Sequence, residues 1–243
     1  LEIEAHKHAT ATIIQDEARC RLLYDDNGIC DQDCPPLFLP VSIPGGPYRK
    51  PSRFLHHSLG IPGEKTILLQ MGSISRYRLS QAIADSAAAL PDEVVVVMHG
   101  VPAAEVEADI RRANVKGNIF LSTNLVPYRE ISELVASAKI GLVFYTPENL
   151  NDYLIGAASG QLAHHLQCGL PVIAIDHPGL REVVEEFGCG VVVKSVNEIG
   201  RASEEILQRY EDFRDRAYMC FETRFDFGRA FQRVGRFLSE LAN

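Results

Sequence analysis

The sequence predicts an α/β protein built on a doubly wound parallel sheet of about six strands, with an N-terminal strand–helix arm and C-terminal helices. Three observations carry this. From Lys65 onward, short apolar runs rich in valine, isoleucine and leucine alternate with stretches of helical period. The runs lack a polar–apolar alternation, so both faces of each strand are covered. Six such strand–helix steps follow one another, and right-handed crossovers between them close an open parallel sheet.

The elements follow in order. "ATATIIQ", residues 9–15, reads as a short strand, and "DEARCRLLYDDNG" as a helix stopped by Gly28. Residues 29–51 are rich in Pro, Gly and Asp around one apolar piece, "LFLPVS", and read as a connector. "PSRFLHHSLGIPG" is a short helix. Then come "TILLQMG" (strand), "LSQAIADSAAAL" (helix), "EVVVVMHG" (strand) and "AAEVEADIRRANVKG", a helix with Gly117 at its end. "NIFLST" is a strand, "YREISELVASA" a helix, and "KIGLVFY" a strand. "SGQLAHHLQCG" is a helix, "PVIAID" a strand, "LREVVEEFG" a helix and "GVVVK" the last strand before helices that run to the end. The organisation expected is an arm and connector over residues 1–60 and a ligand-binding body over 61–243.

The chain has 243 residues, 46% of them hydrophobic, enough to bury a sizeable core. A formal net charge of −8 argues against a nucleic-acid partner while leaving room for a local basic pocket. The six cysteines are scattered, which does not suit a disulfide framework and points to reduced thiols. Cys30 and Cys34 form the one close pair, and a zinc site would need two more ligands at suitable spacing; no metal is expected. No apolar run approaches the ~20 residues of a transmembrane helix, and no secretory leader pattern is present. The expected location is cytoplasmic or peripheral at a membrane surface.

Open parallel sheets bind ligands beyond the carboxyl ends of their strands. The longest loop there, "YTPENLNDYLIGAASGQ", leads into Ser159-Gly160-Gln161-Leu162. The first turn of a helix offers unpaired N–H groups and the positive end of the dipole. Ser159 suits the N-cap and Gly160 lets a ligand approach the backbone, the arrangement of a phosphate site. The same residues also describe an ordinary serine-capped helix. The first loop, "GSISRYR", places Gly72 and Ser73 directly after a strand, with Arg76 and Arg78 beyond; an arginine there forks onto a diphosphate or serves as a solubilising surface charge. The G-x-G-x-x-G dinucleotide fingerprint is absent, against an NAD or FAD enzyme.

Four segments carry a resemblance to a known family: "TILLQMGSISRYR", "NIFLSTNLVPYREISELVASAKIGLVF", "SGQLAHHLQCGLPVIAID" and "PGLREVVEEFGCGVVV". From Lys65 to the C-terminus the chain resembles the C-terminal, nucleotide-sugar-binding half of GT-B glycosyltransferases, a Rossmann-like unit, and looks most like the retaining family 4, group 1. The resemblance implies binding of a nucleoside diphosphate sugar as donor substrate, no other cofactor and no metal. It implies a catalytic histidine and an acceptor site supplied by an N-terminal domain, in cis or in trans. By position it assigns Gly72 and Ser73 to the first glycine loop, and Arg78 to the place of a diphosphate-binding lysine. Leu125 and Val126 fall where backbone groups meet the base, and Ser159, Gly160, Gln161 and Leu162 at the phosphate-binding helix start.

The departures from the family pattern are specific. Ser73 stands for an arginine, Gln161 for a lysine, His164 for the glutamate that holds the ribose hydroxyls, and Gly156 for a first glutamate eight residues earlier. Glu148, Asn149, Asn151 and Asp152 in the long loop are candidates for the sugar-contacting role. His165 is expected to be a packing or surface residue. Residues 1–60 resemble only the last strand and helix of an acceptor domain, and "DFGRAFQRVGRFLSEL" resembles the terminal helix that packs back across the cleft. The chain is therefore expected to be a donor half cut or separated from its partner half. Three readings stay open: a glycosyltransferase donor domain, a degenerate non-catalytic module, and a GT-B epimerase or phosphorylase.

Overall fold

The structure is a computed structural model that describes residues 2–242. Six strands form the main sheet: β3 (Thr66–Met71), β4 (Val94–His99), β5 (Ile119–Ser122), β6 (Ile140–Val143), β7 (Val172–Ile175) and β8 (Gly190–Val193). Their order is β5-β4-β3-β6-β7-β8, and every neighbouring pair is parallel. The chain winds outward from β3 to β5, returns to β6 beside β3, and winds outward again to β8. The direction of winding reverses between β3 and β6, so a crevice opens where their following loops part.

Apolar runs without alternation give strands buried on both faces. Every residue of β4, β6 and β7 is buried, whereas edge strand β8 keeps three of its four residues half-buried. Within β3, Leu68 joins one core and Ile67 and Leu69 the other, because successive side chains point to opposite faces.

Helices cover both faces. They are α1 (Glu2–Lys7), α2 (Glu17–Asn27), α3 (Phe54–Leu59), α4 (Ser80–Ala87), α5 (Ala104–Ala113), α6 (Ile131–Val135), α7 (Leu150–Tyr153), α8 (Gly160–Gln167), α9 (Pro178–Phe187), α10 (Ile199–Gln208) and α11 (Tyr210–Cys220). A π-helical turn over Phe221–Phe225 then leads to α12 (Phe227–Ala230) and α13 (Gln232–Leu241). Helix α5 stops four residues before Gly117, since the Asn114 side chain pairs with both backbone groups of Ile119 and replaces the next turn. Helix α3 puts its fully buried Leu55 into the core that holds Ile67 and Leu69.

In the arm, β1 (Thr12–Ile14) and β2 (Pro36–Phe38) form a two-stranded parallel sheet joined through α2. Asp16 caps α2 by accepting from the Arg19 amide at 2.8 Å, and Gly28 ends it at φ +62°. The connector of residues 29–51 thus contains a strand, and its remainder is held along its length. Val41 N–H donates to the Ala157 carbonyl, Ile43 pairs with Phe225 and Phe227, and Tyr48 N–H donates to Gln167. Its polar composition reflects backbone groups satisfied by neighbouring elements, not freedom. Helix α13 returns to pack on β2. All six cysteines are free thiols.

Candidate active site at the strand carboxyl ends

The crevice between β3 and β6 is built first from backbone. Gly72 turns at φ +102° directly after β3, and Gly100 at φ +147° after β4; a β-carbon on Gly100 would collide with the Gly72 carbonyl oxygen. The two loops then run side by side through a bridge between Ile74 and Pro102. A 3₁₀ turn over Arg76–Arg78 follows, and Leu79 links it to α4 in the left-handed region at φ +53°, the one non-glycine residue there among the described residues. Buried Gln70 of β3 donates to the Arg78 carbonyl at 2.7 Å and fixes the backbone from below.

Side chains then join the two walls. The Arg78 guanidinium lies 3.9 Å from the centre of the Tyr145 ring, and its Nη1 is buried without a hydrogen-bond partner. Tyr145 follows β6; its hydroxyl and the Ser159 hydroxyl are 2.7 Å apart. Ser159 in turn caps α8, accepting from the Leu162 amide. Burial pushes the Tyr145 phenol up, against a smaller opposing pull from Arg78, so it stays neutral. His177 approaches the Tyr145 carbonyl at 3.0 Å and supports the same strand end.

At the α8 start, Gln161 is buried beside Tyr145, and both its amide atoms lack a hydrogen bond. The Thr146 hydroxyl is buried without a partner as well. Unpaired buried polar groups cost about 1–3 kcal/mol each. The Gln161 amide at the helix start and the unsatisfied guanidinium nitrogen of Arg78 leave hydrogen-bonding capacity that a polar ligand would meet. A β-carbon on Gly160 would sit at ordinary contact distance from Val41 of the connector.

A cleft of ≈ 510 Å³ opens beside this line, with Ser73, Arg78, Glu148, Asn149 and Asp152 on its wall. Glu148 faces Arg76 at 3.7 Å, both side chains well exposed. Asn149 caps α7 and also donates to Asp152, so its side chain is engaged locally. Asn151 lies outside the cleft wall; its carbonyl accepts from Arg19 of the arm. Leu125 and Val126 line a separate hollow of ≈ 190 Å³ beyond β5, with Leu125 almost fully exposed.

The two histidines of α8 differ. His164 packs edge-on against Tyr128 at 5.9 Å, and its Nδ1 is buried without a partner. Burial lowers its pKa, opposed by the neighbouring Gln167 side chain, so the ring is neutral at physiological pH. His165 is fully buried against Gly141 of β6, and burial pushes its pKa down to about 3. Gly156 packs backbone to backbone on Gly179 at the start of α9, and any side chain there would strike the Gly179 carbonyl.

Sequence reasoning missed Tyr145, Gln70, Thr146 and His177. Tyr145 and Thr146 had a usable signal, since they stand directly after an apolar strand at the ligand edge. His177 had the same signal, standing two residues after β7, whereas Gln70 had none, because it acts through the backbone of a distant loop.

The profile of the family described as Glycosyl transferases group 1 matches residues 52–220. No curated protein matches the chain. Among solved structures, Anabaena HepE in complex with UDP and glucose is similar with a TM-score of 0.71 at 16% identity, over 97% of this chain and 64% of that one. WaaG, a glycosyltransferase involved in lipopolysaccharide biosynthesis, is similar with a TM-score of 0.63 at 20% identity, over 87% of this chain and 58% of that one. Sucrose-phosphate synthase from Thermosynechococcus elongatus gives 0.71 at 15% identity, over 99% of this chain and 60% of that one. At these identities the likeness is one of fold. The chain spans less than two thirds of the length of each.

Proposed function

Because the chain belongs to the group 1 glycosyl transferases, we propose that it forms the donor-binding half of a retaining, metal-independent enzyme that moves a sugar from a nucleoside diphosphate sugar to an acceptor. The acceptor wall and a catalytic histidine come from an N-terminal domain, in cis or in trans. The arm of residues 1–60 leads into that domain, and residues 61–243 hold the donor.

The observation that carries this reading is the line Arg78–Tyr145–Ser159, which ties the first-loop cation to the start of α8. Negative charge on the diphosphate grows as the sugar bond breaks. The N–H groups of Gly160 and Gln161 and the free Arg78 Nη1 neutralise it, the role a divalent cation plays elsewhere. The buried amide of Gln161 gains the partner it lacks when an oxygen arrives. Glu148 and Asp152, on the cleft wall, accept from sugar hydroxyls. Leu125 and Val126 meet the base, and His164 a ribose hydroxyl. UDP bound to HepE, a protein of the same fold, supports a uridine donor. Calorimetry with UDP, GDP and their sugars tests the reading: binding of one of them in the micromolar range, at least tenfold weaker in Arg78→Ala, supports it. Absence of binding at millimolar concentration rejects it.

The packing of Gly156 on Gly179 favours a second reading, a donor half that binds without catalysing, because it excludes a carboxylate from that position. Sugar transfer by the full-length or reconstituted protein, lost on Arg78→Ala, rejects this alternative.

A further inference from the structure

At the opposite end of the sheet from Arg78, a cavity of ≈ 790 Å³ opens where β3, β6 and β7 begin. Thr66 from the start of β3, Lys139 just before β6 and Leu170 just before β7 contribute to its wall. The chain as a whole carries a net charge of −8, yet six cationic side chains line this cavity against one carboxylate, Glu64. The cations are Arg49, Lys50, Arg53, Lys65, Lys139 and Arg214.

Two of these have carboxylate partners: Arg49 pairs with Glu222 at 3.2 Å, and Arg214 with Glu211 and, at 4.0 Å, Asp215. The other four have no ion pair among the described residues. Arg53 and Lys65 donate only to backbone carbonyls, of Gly63 at 3.2 Å and Asp92 at 2.7 Å. The Lys139 ammonium lies 4.6 Å from the centre of the Tyr210 ring, and Arg49 lies 4.1 Å from that of Tyr218. Arg214 Nε and His56 Nδ1 are buried without a hydrogen-bond partner.

Like charges gathered in a concavity repel one another, and low-dielectric walls focus their field onto whatever enters. Lysines spread over a convex face would serve solubility without that cost. An anion in this cavity offsets the repulsion, and guanidinium groups recognise phosphoryl oxygens with two parallel hydrogen bonds. We propose that the cavity is an anion site, separate from the donor cleft, for a compact ligand bearing two or more phosphoryl negative charges. Such a group belongs either to a soluble phosphorylated compound or to an anionic lipid headgroup. The proposal does not depend on the donor reading, because none of its residues lies at the carboxyl ends of the strands.

Inorganic pyrophosphate is the soluble probe, titrated calorimetrically into the whole chain. Vesicles of phosphatidylcholine with cardiolipin, whose headgroup carries two phosphate charges, are the lipid probe, read by co-sedimentation. The test variant is Lys50→Glu with Lys139→Glu; both side chains are exposed and neither makes a hydrogen bond, and a thermal melt checks that the fold is kept. The expected result is binding that survives Arg78→Ala and weakens at least tenfold in the lysine pair. Pyrophosphate binding without vesicle retention assigns a soluble ligand, and vesicle retention lost in the lysine pair assigns a headgroup. Binding unchanged in the lysine pair, pyrophosphate binding abolished by Arg78→Ala without vesicle retention, or no response to either probe overturns the proposal.

Discussion

The guanidinium of Arg78 keeps one buried nitrogen without a partner while its other face rests on Tyr145. A hydrogen bond to a charged group contributes about 1.5–3 kcal/mol, so Arg78→Ala is expected to cost roughly tenfold or more in diphosphate affinity while the melting temperature changes little. His164 offers a complementary gain. A carboxylate accepts two hydrogen bonds from a ribose diol where a neutral imidazole makes one, so His164→Glu is expected to tighten nucleotide binding in calorimetry. Looser binding would instead make His164 an adaptation to this protein's own donor. His165 is expected to contribute to the loss of stability in acid. Its folded pKa of about 3 lies below the ordinary 6.5, so the unfolded chain takes up a proton that the fold refuses. Its contribution is complete above pH 6.5 and is lost as pH falls toward 3, up to about 5 kcal/mol on the linkage relation. His165→Met is expected to flatten the acid limb of urea-unfolding stability measured at neutral pH and between those two values. An unchanged acid limb would count against this assignment.

Among the elements, the short turn over Gly156–Ala158 leaves no room for a side chain at its first residue. Its first residue touches the start of α9 through backbone alone. Gly156→Glu is therefore expected to lower thermal stability by several degrees and to give no gain in donor affinity, since the turn must lift off α9 before the side chain fits. A stable, tighter-binding Gly156→Glu would show that the turn adapts. The strands and most helices were readable from periodicity, because burial on both faces leaves unbroken apolar runs and one-face burial leaves a helical period. The elements that escaped were α1, β2 and α7. Each lies outside the regular alternation of apolar runs and helical stretches, in the arm, the connector or the long loop, so no neighbouring pattern marked it.

Across the whole molecule, the arm is fastened by a few polar contacts. Arg19 donates to its own cap Asp16 and to the carbonyls of Leu154 and Asn151 in the long loop beside the cleft. Arg19→Ala is expected to release the arm, seen as faster proteolysis within residues 29–51 at unchanged stability of the main sheet. Cleavage at the wild-type rate would show that the pairing of Ile43 with Phe225 and Phe227 suffices alone. The parallel sheet, the serine-capped start of α8, the glycine turn at Gly72 and the family segments could all be read from the order of residues. Each depends on neighbours within a few positions, where periodicity, capping and turn chemistry act. The Arg78–Tyr145–Ser159 line, the exclusion of a side chain at Gly156, the burial of His165 against Gly141 and the basic cavity below the sheet emerged only on folding. Each joins residues far apart in the chain, and what they do follows from which partners, or which lack of partners, packing imposes on them.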